Sequence, residues 1–162
     1  PNPTEAPLVR RARRQLPANA SALRPRRDSA AYEALRDRAT AYAAQHGSAP
    51  AVTVRTLGSQ RDFGARQLFV TNLLAAGGVL AGEDGSPVAI IASSTKAYAE
   101  HAAQSVAELR AAGAQRVLVA GRARELPEDV QVDGEVYDGM DVVAFLRDVL
   151  DRIGAPAEGA GQ

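Results

Sequence analysis

Short apolar runs that alternate with helical stretches constrain this chain more than any other feature. Val88-Ala89-Ile90-Ile91-Ala92 and Val117-Leu118-Val119-Ala120 are continuously apolar, as strands covered on both faces are. Ala51-Val52-Thr53-Val54-Arg55 reads as a first strand, Val79-Leu80 as a weak short one and Glu135-Val136-Tyr137 as a short last one. Between them, three segments read as helices, each bounded by capping or stop residues. The first runs from Asp62 to Ala76, with Phe63, Leu68, Phe69, Leu73 and Leu74 as its apolar residues, and Gly77-Gly78 stops it. The second runs from about Lys96 to Ala112, capped by Ser93 or Ser94 and ended by Gly113. The third runs from Asp141 to Ile153, closed by Gly154 and Pro156. The connection Glu83-Asp84-Gly85-Ser86-Pro87 is a turn. Strands alternating with helices predict a parallel sheet with right-handed crossovers.

About five strands in this rhythm predict a flavodoxin-like, doubly wound α/β fold of strand order 2-1-3-4-5, spanning residues 51–155. Ahead of it, a helix within residues 29–50 starts near Asp28 or Ser29, either of which can cap it. Tyr32, Leu35, Ala39, Tyr42 and Ala43 share one of its faces, Gly47 ends it and Pro50 prevents its return. Residues 1–28 carry Arg10, Arg11, Arg13, Arg14, Arg24, Arg26 and Arg27 with almost no acid between them. Without an apolar period, this segment is expected to be an extended arm or linker. Such an arm can bind nucleic acid or a protein partner. The lack of interleaved aromatics and of a basic folded domain favours the linker or partner-binding use. Residues 156–162 are expected to be a flexible tail.

Composition narrows the function classes. A chain of 162 residues holds one ordinary domain and some extra. Its net charge is zero, which gives no bulk argument for nucleic acid or membrane. It has no cysteine, so disulfides, thiolate metal sites and cysteine nucleophiles are excluded. No apolar run approaches the ~18 residues of a membrane span, and no signal-peptide core opens the chain, so a cytoplasmic location is expected. The chain begins at Pro1 rather than Met, which suggests a processed fragment or a piece of a longer protein.

The turn Thr56-Leu57-Gly58-Ser59-Gln60-Arg61-Asp62-Phe63-Gly64 leaves the first strand and enters a helix. That places it at the carboxyl edge of the sheet, where open α/β folds hold ligands. Arg61 and Arg66 could attract a phosphate there, with Asp62 opposing it. Gly77-Gly78 follows a helix and so reads as a cap rather than a phosphate loop. His46 sits at a helix C-terminus, where a cation is favoured. His101 and Ser105 share a helix face, but no orienting acid or oxyanion hole accompanies them, so a solvated helix face is the expected reading. Asp138 and Asp141 follow the last strand, where paired acids could suggest Mg²⁺. The first and third strands end without the acids such a site needs, and Asp141 reads as a helix N-cap.

From about Arg27 onward the chain resembles the C-terminal domain of the methylmalonyl-CoA mutase small subunit. Carrying the resemblance are Tyr32-Glu33-Ala34-Leu35-Arg36-Asp37-Arg38-Ala39, Thr56-Leu57-Gly58, Phe63-Gly64-Ala65-Arg66 and Ala75-Ala76-Gly77-Gly78-Val79. Ser93-Ser94 with Tyr98-Ala99-Glu100, Leu109-Arg110-Ala111-Ala112-Gly113-Ala114 and Val117-Leu118-Val119-Ala120-Gly121 continue it in order. The resemblance implies a cobalamin-binding-type domain, in a heterodimer whose catalytic subunit alone holds adenosylcobalamin and interconverts methylmalonyl-CoA and succinyl-CoA. It also implies that the acyl-CoA-binding barrel of such subunits is missing from this chain, as in an excised domain or a reduced standalone relative. Binding members carry Asp-x-His-x-x-Gly at the first turn, and here Ser59, Arg61 and Gly64 stand at those positions. Ser93 and Thr95 stand at the family's Ser-x-Leu, Ala120-Gly121 at its Gly-Gly, and Arg122 would crowd the mouth. The resemblance therefore implies a vestigial site at Ser59, Arg61, Gly64, Ser93, Thr95 and Gly121, with no catalytic residue, no metal and no cofactor on this chain. Its expected role is structural, packing against the catalytic mutase subunit. A cobalamin-binding domain without a histidine ligand, or a small phosphate- or nucleotide-binding domain, are the alternatives.

Overall fold

The structure, a computed structural model, describes residues 26–156, and the expected arm up to residue 25 and the tail after 156 lie outside that range. Helix α1 (Arg26–His46) leads into β1 (Ala51–Thr56), α2 (Gln60–Ala75), β2 (Leu80–Gly82) and β3 (Val88–Ala92). Helix α3 (Thr95–Ala111), β4 (Arg116–Ala120), a single 3-10 turn (Ala123–Glu125), β5 (Gly134–Val136) and α4 (Val142–Ile153) follow. The five strands form one parallel sheet of order β2-β1-β3-β4-β5. This is the flavodoxin-like arrangement the alternation predicts.

Several boundaries move. α1 begins at Arg26, upstream of both Asp28 and Ser29, so neither is its N-cap; arginine is a good helix former. α2 begins at Gln60 behind Ser59 rather than at Asp62. Ser94, not Ser93, caps α3 by accepting the Ala97 amide at 3.1 Å. Asp141 caps α4 as expected, accepting the Ala144 amide at 3.1 Å.

Every residue of β3 is buried, and the pleat sends successive side chains to opposite faces. Val88, Ile90 and Ala92 join Val52, Leu118 and Ala120 under Val70, Leu73 and Leu74 of α2 and Leu146, Val149 and Leu150 of α4. Ala89 and Ile91 join Val117 and Val119 under Ala97, Tyr98, Ala102, Val106 and Leu109 of α3. Helix α1 belongs to the first core through Leu35. Its Arg38, only 5% exposed, donates to the Pro156 carbonyl (2.7 Å), the Ala155 carbonyl (3.2 Å) and Asp151 Oδ1 (2.7 Å) at the end of α4. Gly78, at φ +76°, ends α2 so close to α1 that a Cβ there would lie 2.8 Å from the Ala39 Cβ.

On the α3 face, the turn between β2 and β3 lies against β1. Beneath that turn, the buried Thr53 hydroxyl donates to the Glu83 carbonyl at 2.8 Å and accepts the Ser86 amide at 3.3 Å. Arg55, two residues along, pairs with Asp84 and Glu108, each at 2.9 Å. Among the described residues, no helix is long and apolar enough to cross a membrane.

Candidate functional site

The carboxyl ends of β1, β3 and β4 converge with the N-termini of α2 and α3. In the β1–α2 turn, both the Ser59 amide (3.0 Å) and the Ser59 hydroxyl (2.9 Å) donate to Asp62 Oδ2. Ser94, capping α3, donates to the other oxygen of Asp62 at 3.2 Å. The Ser59 amide, the Ser59 hydroxyl and the Ser94 hydroxyl hold the Asp62 carboxyl below its usual range, with Lys96 adding a nearby charge. Asp62 thus binds the two helix starts together, as a capping-box acid does. Gly58 stands at φ +79° against that carboxylate, and Gly64 lies inside α2. Arg61 is exposed and makes no ion pair among the described residues.

Arg66, one turn further along α2, points into the crevice between strand ends. Its Nη1 donates to the carbonyls of Ser93 (3.0 Å), just past β3, and Ala120 (2.9 Å), the last residue of β4. Glu125 meets the guanidinium through both oxygens, Nη1–Oε1 at 2.8 Å and Nη2–Oε2 at 3.2 Å. Glu125 also accepts the Arg122 amide (2.9 Å) and the Thr95 hydroxyl (2.8 Å). Burial opposes ionisation of Glu125, but these donors outweigh it and the carboxyl falls below its ordinary value. The Tyr98 hydroxyl, buried beside the pair, donates to the Ala120 carbonyl at 2.6 Å and accepts the Ser93 amide at 2.9 Å. Burial raises its pKa. Ser93 is fully buried and its hydroxyl donates to the Leu57 carbonyl at 2.6 Å.

The structure therefore brings Ser93, Thr95 and Gly121 together around Arg66 and Glu125, and it leaves Arg61 outside. Arg66 already has partners within the protein, through Nη1 and Nη2. Arg122 lies at the mouth as expected, stacked 4.1 Å over the Tyr137 ring and 3.3 Å from Glu135. Arg66, Gly121, Arg122 and Glu125 themselves line a cleft of about 290 Å³, which Phe69 and Tyr137 continue. That is just below the roughly 300–1,000 Å³ typical of small-ligand pockets.

The histidines do not converge on this crevice. His46 stacks on Tyr42 at 3.9 Å and bonds the Tyr42 carbonyl at the end of α1. His101 is exposed on α3, 3.6 Å from Glu100, and lines a separate hollow beside Arg55 and Gly58. No hydrogen bond links it to Ser105. Among the described residues, no group of three potential metal ligands occurs. A histidine-ligated cobalamin does not fit the donor set of the turn, because a guanidinium has no lone pair for cobalt and Ser59 is committed to Asp62. Sequence reasoning missed Glu125 and Tyr98. Only the placement of Glu125 just past Gly121-Arg122, at the sheet edge, could have signalled it.

No family model matches the chain. It is similar to the methylmalonyl-CoA mutase small subunit of Streptomyces virginiae, 38% identical over 147 residues that make up 81% of this chain and 23% of that protein. The probable methylmalonyl-CoA mutase small subunit of Mycobacterium tuberculosis (strain ATCC 25618 / H37Rv) is 35% identical over 147 residues, 80% of this chain and 24% of that protein. The small subunit of Propionibacterium freudenreichii subsp. shermanii is 32% identical over 148 residues, 79% of this chain and 23% of that protein. The chain thus spans about a quarter of the length of the curated relatives it matches. The resemblance read from the sequence is borne out as similarity to one domain's length of these small subunits.

Proposed function

We propose that this chain is a non-catalytic, partner-packing domain of an adenosylcobalamin-dependent acyl-CoA mutase. The partner subunit holds the cofactor and interconverts methylmalonyl-CoA and succinyl-CoA in the cytoplasm, while the cobalamin site of this chain is vestigial. The observation that carries the reading is the β1–α2 turn. Its serine and acid close a helix start on each other (Ser59 to Asp62, 2.9 Å) and its Arg61 faces solvent, where a cofactor-holding turn needs an imidazole and its orienting acid. The similarity to proteins named small subunits supports a place in a multi-subunit enzyme. The partner is protein, since neither charge nor apolar length favours nucleic acid or membrane.

Equilibrium dialysis of the purified chain against adenosylcobalamin, followed by absorbance, tests the vestigial site. No binding at high-micromolar cofactor is expected, and micromolar or tighter binding would sink the reading. Co-purification with a catalytic mutase subunit tests the packing role, which a chain that never forms a stable complex with it does not have.

A further inference from the structure

We propose that the carboxyl-edge crevice is a guanidinium site, in which the Arg66 side chain is the internal ligand. This deepens the reading above and rests on it. The acceptors facing the crevice are the Ser93 and Ala120 carbonyls and both oxygens of Glu125. They form an acceptor-only cradle with one negative charge, matched to a planar cation with forked donors. The cradle is itself braced. The Arg122 amide and Thr95 hydroxyl fix Glu125, and the Tyr98 hydroxyl fixes the Ala120 carbonyl. The backbone also approaches the occupant closely. At Gly121, φ +114°, a Cβ would lie 2.6 Å from both Arg66 Nη1 and Glu125 Oε2. The ligand class of this cradle is guanidinium, and an anionic phosphate is excluded by charge.

Removal of the side chain takes the guanidinium donors from the Ser93 and Ala120 carbonyls and the cation from Glu125, which is costly for groups that are partly or fully buried. The full-length chain and its Arg66→Ala variant are melted with and without ethylguanidinium at roughly 10 mM, a probe of the vacated space. Equal concentrations of potassium chloride and potassium phosphate are the controls. Arg66→Ala melts about 5 °C below the parent chain and regains at least half of that loss with ethylguanidinium only, whereas the parent gains nothing. An unchanged melting point, a loss not restored by ethylguanidinium, or an equal rise in the parent overturns the proposal. If Arg66→Ala does not fold, Arg66→Gln takes its place, keeping a donor for one carbonyl but too short to fork onto Glu125. Dialysis of the parent chain against adenosylcobalamin separates the two claims. Cofactor binding by the parent sinks the vestigial-site reading, while failed rescue without cofactor binding sinks only the guanidinium site.

Discussion

Glu125 shows how one side chain can hold the sheet edge shut. Its burial disfavours charge, yet Arg66, the Arg122 amide and Thr95 lower its pKa below the ordinary 4.5. A carboxyl whose folded pKa is depressed contributes stability that is fully present above its unfolded value and is lost as pH falls through its folded value. The melting temperature of the parent chain should therefore exceed that of Glu125→Gln at pH 6, and the gap should close as the pH is taken below about 4. A gap that stays constant with pH would mean that the charge of Glu125 does not matter. Arg66 and Glu125 are far apart in sequence, and no local pattern joins them. Sequence reasoning singled out Arg66 because a cation at a sheet edge invites an anion, and what it could not supply was the internal anion already in place. Ser59 and Asp62 were legible in principle, as a serine with an acid three residues on is a helix-start signature.

Among the elements, α1 departs most from what the sequence suggests. The apolar face of Tyr32, Leu35, Ala39 and Tyr42 is legible from its spacing, and Leu35 and Ala39 are indeed buried. Arg38 was not legible, because charged side chains are rarely buried and its acceptors are the chain end at Ala155 and Pro156, which spacing within α1 does not reveal. The helix ahead of the sheet is thus clamped to the last helix. Arg38→Ala should destabilise the chain by about 2 kcal/mol in urea unfolding, since the hydrogen bonds of a charged donor are lost. A change under about 0.5 kcal/mol, the level of an ordinary surface substitution, would show that the clamp contributes nothing. The sequence suggests a weak second strand at Val79-Leu80, and it forms one residue later, at Leu80–Gly82.

The whole molecule follows from one property of its central strands: apolar side chains on both faces require cover on both faces. That is why strand order was legible before any contact was known, and why the cover itself was not. Sequence periodicity cannot say that one face receives α1, α2 and α4 while the other receives α3 and short connections. Protection against amide hydrogen exchange should follow the same geometry. β1, β3 and β4, flanked by strands on both sides, should exchange most slowly, and the three-residue edge strands β2 and β5 fastest among the strands. Comparable protection at centre and edge would contradict this layering. The pleat of β3 has a further use. Ile90 lies in the core with α1, α2 and α4, and Ile91 in the core with α3. The only other isoleucine of the chain is Ile153, near the end of α4. Isotopic labelling of the isoleucine δ1 methyls alone therefore gives a spectrum of three signals, in which two sequence neighbours report separately on the two halves of the molecule.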